Sequence, residues 1–164
     1  MDPSDDLAQV TAHLQPLLSR HGFRQRGVDA GWGSGGPSAE TTFVRRPSVW
    51  RRLVGKEPTA ERTLGIWVRG TSLAVGYSVG DVGLDHARYM RELLGPAGGN
   101  HFPAFAEDVE RSCEALLYDL EHFCSDFLAG DAAEFLRCAT AAEAAEGLSG
   151  FQRLARTEHE LPAD

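Results

Sequence analysis

No apolar run in these 164 residues approaches the ~20 needed to span a bilayer. The N-terminus, Met1 to Asp6, is acidic and lacks the basic and apolar regions of a signal peptide. Both absences point to a cytoplasmic protein with no membrane partner. Cysteine is scarce and odd in number, with only Cys113, Cys124 and Cys138. No Cys-x-x-Cys, His-Glu-x-x-His or two-part zinc spacing occurs, and the six histidines do not cluster. A disulfide framework and a metal site are thereby disfavoured, no cofactor is implied, and the thiols are expected to be buried and reduced. A phosphate-binding loop is missing too: the glycines between Gly31 and Gly36 have no Lys-Ser/Thr after them. No repeat of solenoid period is present.

What is present is an ordinary globular composition, 42% hydrophobic and 24% charged, in a chain of one-domain length. The net charge of −8 conceals a division. Arg20 to Arg69 carries ten basic residues against four acidic ones; the remainder carries six against twenty. Such asymmetry bears on encounter with charged partners, not on fold.

The stretch from Phe102 to Gly130 has the clearest pattern. At 100° per residue, Cys113, Leu116, Leu117, Leu120, Phe123, Cys124, Phe127 and Leu128 share an arc of roughly 140° with Val109. This predicts one long amphipathic helix, a spine for the rest of the chain. Two acidic bands flank the stripe: Glu107, Glu110, Glu114 and Glu121 on one side, Asp108, Asp119 and Asp126 on the other. Their spacing is too wide for one cation, because Asp108 and Asp119 lie about 16 Å apart along a helix axis.

Upstream, Leu7, Val10, Leu14, Leu17 and Leu18 predict a helix over Ser4 to His21, capped by Ser4 or Asp5 and ended at Gly22. Pro16 predicts a kink or a division into two segments. Residues 27–38 read as a flexible Gly-rich loop in which Trp32 is either an exposed contact anchor or, by preference, folded back on the sheet. Thr41 to Arg46, Thr63 to Arg69 and Ser72 to Val79 read as strands, and Ser48 to Lys56 fits a strand or a short helix. Asp85 to Leu94 reads as a helix stopped by Gly95. After Gly130, Asp131 to Glu134 and Thr140 to Glu143 each have the form of a capping box, which predicts short helices over Ala132 to Cys138 and Ala141 to Gly147. A polar tail follows over 152–164. The expected fold is α+β: an antiparallel meander of about four strands, packed on the first helix and on the long helix, with short helices after it.

The strongest polar signal is Arg45, Arg46, Trp50, Arg51 and Arg52. The plain reading is a solvated hairpin whose arginines meet the chain's own acidic helix. The same residues could grip phosphate and stack a base. Gly76 to Gly80 has the form Gly-x-Ser-x-Gly around Ser78, but Ser78 sits in an alternating strand, not at a strand-to-helix elbow. Asp85 and His86 are neighbours, which is poor triad geometry, so no catalytic residue is assigned. The small residues Ala74, Gly76 and Ser78 mark a close approach or a groove.

Leu14, Leu17, Leu18, Gly22 and Phe23, followed by the basic Arg24 and Arg26, resemble the opening of a family of small uncharacterised bacterial domains. These domains occur among immunity-type proteins and begin with a helix ending Leu-Leu-x-x-x-Gly-Phe, then a meander, then helices. The resemblance implies a binding role and transfers no functional residue. The expectation is a non-catalytic bacterial binding domain, of immunity or regulatory type, contacting a protein through Glu107, Glu110, Glu114, Glu121 and Trp32. The alternatives are a nucleic-acid-binding module built on residues 45–52 and a small hydrolase with a groove near Ser78.

Overall fold

The computed structural model describes residues 2–33, 36–47, 60–95 and 108–159. The first helix, α1 (Pro3–Arg20), is capped by Asp2, whose carboxylate accepts from Ser4 N at 3.0 Å, with Pro3 in the first turn. The cap thus lies two residues ahead of the expected Ser4. Pro16 does not divide the helix. It and Ala12 are both exposed, so the carbonyl that loses its partner faces water. Gly22, at φ +81°, ends α1; Phe23 N donates to Leu18 O at 3.0 Å and Gly22 N to Ser19 O at 3.0 Å. That turn sends Phe23 into the core.

Five strands follow in a meander ordered β1-β2-β3-β4-β5, every neighbouring pair antiparallel: β1 (Arg24–Gly33), β2 (Gly36–Arg45), β3 (Arg62–Arg69), β4 (Ser72–Val79) and β5 (Val82–Asp85). The expected flexible loop over 27–38 is a hairpin instead. Gly31 pairs with Ser38 and Trp32 with Pro37, while Ser38 and Ala39 pair onward with Arg69 and Val68. Pairing on both sides of β2 supplies the hydrogen bonds that glycine composition alone does not forecast. A bulge sits between Arg26 and Val28, at Gly27. Residues 48–59, including the segment from Ser48 to Lys56, lie outside the described residues.

Side chains alternate across the sheet. Leu64, Ile66, Val68, Leu73, Val75, Tyr77 and Val79 face the helices and are buried. On the opposite face Trp67 and Ala74 are exposed. The helix α2 (His86–Leu94) begins directly after β5, capped by Asp85, whose carboxylate accepts from Arg88 N at 2.9 Å.

The long helix expected over Phe102 to Gly130 is two. Residues 102–107 lie outside the described residues. From Asp108, α3 (Val109–His122) runs to a break at Phe123 and Cys124, and α4 (Ser125–Leu128) continues the apolar stripe. The break lets the stripe turn a corner: Cys124, Phe127 and Leu128 stay buried in the same core as Leu116 and Leu120. Arg62, almost fully buried, donates to Phe127 O at 2.5 Å and Gly130 O at 2.6 Å, satisfying carbonyls that α4 leaves open. Arg45 donates to Leu128 O beside them. The two short helices expected after Gly130 are one, α5 (Ala133–His159), which also takes in the tail as far as His159. Thr140 is not a cap; its hydroxyl donates to Leu136 O at 2.9 Å inside the helix. An alanine-rich sequence and a buried side over Phe135, Cys138, Ala139 and Ala142 carry the helix past Thr140.

Candidate functional site

On α3 the two acidic bands have separate fates. Asp108 accepts from Arg111 N at 3.0 Å and caps the helix. Asp119 is fully buried, and its Oδ2 lies 3.0 Å from His86 Nε2. Asp126 accepts from Glu134 N and Phe135 N at 3.0 and 3.2 Å, so it caps α5. These three aspartates hold the fold. Glu110, Glu114 and Glu121 are exposed, and none forms an ion pair with a described residue. Tyr118, one turn after Glu114 and 48% exposed, stands beside them, its ring stacked on His122 with centroids 4.0 Å apart. Glu107 lies outside the described residues.

The two described arginines of the run, Arg45 and Arg46, reach partners away from this acidic face. Arg45 turns to the carbonyl end of α4, while Arg46, next to it on the strand, pairs with Glu61 at 3.6 Å. Neighbouring residues of an extended chain point to opposite faces, so Arg45 and Arg46 lie on different sides of β2. Trp50, Arg51 and Arg52 lie outside the described residues. Trp32 is 82% exposed at the end of β1, against the preference for a ring folded on the sheet. Its partner across the hairpin is Pro37, itself exposed, so no described helix covers that end.

Tyr77, His86 and Asp119 form a chain through the core. The Tyr77 hydroxyl lies 2.6 Å from His86 Nδ1, and the opposite ring nitrogen meets Asp119. Burial holds the Tyr77 hydroxyl well above its usual pKa and pushes the Cys124 thiol up beside it. This network escaped sequence reading because Asp119 was grouped with surface acids. Tyr77 gave the available signal: it stands at an inward position, and a buried hydroxyl requires a partner. Ser78 is on the other face, above a shallow groove of about 370 Å³ lined by Thr42, Gly65, Trp67, Gly76 and Asp85 among others. Of the close approach or groove expected near Ala74, Gly76 and Ser78, both occur: a shallow groove, with the Trp67 ring packed against its glycines. The Trp67 ring lies across Gly76, where an added Cβ would come within 3.1 Å of it. His86, engaged in the core at both nitrogens, is not placed to activate Ser78.

Among the described residues no group of three or more His, Cys, Asp or Glu is placed to hold a metal ion, and no helix is long and apolar enough to cross a membrane. No protein-family model, curated protein or solved structure matches the chain.

Proposed function

We propose that this chain is a protein-interaction domain, of immunity or regulatory type, that docks a basic partner surface on α3. The observation that carries this reading is the band of Glu110, Glu114 and Glu121. It is open to solvent, without an ion pair among the described residues, and it has an exposed aromatic, Tyr118, on its border. An aromatic with a satisfiable hydroxyl supplies contact area at low entropic cost, and the carboxylates supply steering. The family resemblance read from Leu17, Leu18, Gly22 and Phe23 supports a binding role in the same sense. The inward turn of Arg45 weighs against the nucleic-acid alternative.

The test uses tagged full-length chain and the proteins it retains from its host. Substituting Glu110→Lys and Glu114→Lys together should remove the physiological partner and slow its association about tenfold or more at low ionic strength. The wild-type rate should fall steeply as salt is raised. Tyr118→Ala should act on dissociation instead. A partner retained equally by the wild type and the Lys variant, with the same rates, would refute the α3 surface.

A further inference from the structure

A recess of about 380 Å³ at the start of β1 is lined by Arg24, Arg26 and Arg46, with Gly22 at its rim and Val44 as its buried floor. Arg24 and Arg26 are two apart on β1 and so project from one face, roughly 7 Å from each other. They pair across β2 with Val44 and Thr42. Arg46 follows Val44 by two and completes the ring from the next strand. Glu61, just before β3, holds two of the three guanidinium groups: its Oε2 lies 3.8 Å from Arg26 Nη2 and 3.6 Å from Arg46 Nε. Arg24 has no acidic partner among the described residues. Among the described residues, three cations stand against one carboxylate, a surplus of two positive charges in one basin.

We propose that this recess binds the phosphoryl group of a small phosphorylated ligand. A phosphate monoester carries a charge of about −1.5 to −2 and three acceptor oxygens, which matches the surplus and the forked donors of guanidinium groups. A carboxylate ligand would neutralise only half of that charge. A nucleic-acid backbone offers singly charged phosphates along a track, whereas these three arginines line one small recess. Glu61 keeps Arg26 and Arg46 turned toward the basin before a ligand arrives, lowering the ordering cost of binding. The site is built from the β1 bulge region and the end of β2, remote in sequence from α3.

Isothermal titration of the full chain with inorganic phosphate at low salt tests the proposal. Saturable binding is expected, weakened about tenfold or more by Arg24→Gln and further by Arg24→Gln with Arg46→Gln. Both arginines are exposed, so circular dichroism should show the variants folded. Glu110→Gln, on α3, should leave phosphate binding unchanged. Acetate should displace phosphate only weakly. Four results would overturn the proposal: no saturable phosphate binding, equal binding by the folded double variant, displacement by acetate as effective as by pyrophosphate, or binding of a short oligonucleotide without binding of phosphate.

Discussion

Three aspartates and three glutamates lie along the same nineteen residues of chain, Asp108 to Asp126, and they do opposite work. Asp108, Asp119 and Asp126 are each tied to a named partner: a helix N-terminus, a buried histidine and the N-terminus of α5. Glu110, Glu114 and Glu121 reach into solvent. The difference follows from side-chain length and placement. A short carboxylate can fold back on nearby backbone N–H groups, which is why Asp serves as a cap and Glu does not. The lesson is that a band of like charges on a helical wheel is not one functional unit. Half of it belongs to the fold, and only the remainder is available to a partner.

The contrast can be broken from the inner side first. Alkaline titration should give the largest loss of stability, because the core around Asp119 also holds thiols and phenols that burial keeps protonated: Cys124, Cys113, Tyr77 and Tyr89. Their folded pKa values lie above the unfolded ones. The stabilisation is therefore complete below the ordinary thiol value of 9.0 and is lost as pH rises through about 11, the value to which Cys113 is pushed. Urea midpoints measured from pH 7 upward should fall across that window, and a flat profile would contradict the burial of these groups.

Next, Asp119→Ala leaves His86 facing an empty position in the core and should cost about 3 kcal/mol in urea unfolding, between an orphaned polar group and a broken buried pair. Asp126→Ala removes the acceptor for two backbone N–H groups of α5 and should cost about 1–2 kcal/mol. Asp108→Ala, an exposed cap, should cost about 1 kcal/mol or less by the same measurement. Smallest is Glu110→Gln with Glu114→Gln: stability should change by less than about 0.5 kcal/mol, with the effect appearing in partner association instead. If that pair destabilised as much as Asp126→Ala, the distinction between the two trios would fail.

Much of the fold was legible from pattern. The 3, 4 spacing of Leu7 to Leu18, the alternation of Leu64 to Val68 and of Leu73 to Val79, and Asp85 ahead of α2 all correspond to observed elements. The errors share one cause, that local signals were outvoted by distant contacts. Glycines that read as a loop became a hairpin because β2 was held on its other edge by β3. The stripe after Val109 breaks at Phe123 and Cys124, and the carbonyls left open at the far end of α4 are met by Arg62 from the sheet. Thr140 and Glu143 have the letters of a cap, yet they lie within one helix whose buried side runs past Thr140, from Phe135 to Ala142. Of the candidate sites, the glutamate band was visible from spacing. The Tyr77–His86–Asp119 chain and the Arg24–Arg26–Arg46 recess were not, since each joins separate elements.

Amphipathic periodicity, β-branched alternation and the uneven distribution of charge are one-dimensional properties. They determined the α+β class, the inward faces of β3 and β4 and the glutamate face of α3. The tertiary structure decided the rest: which acids are consumed in holding helices together, that Arg45 and Arg62 face α4 while Arg46 shares a recess with Arg24, and that Trp32 is exposed. A side chain's partner is chosen by what the fold brings within hydrogen-bonding reach, and that reach is about 3 Å in space whatever the separation along the chain.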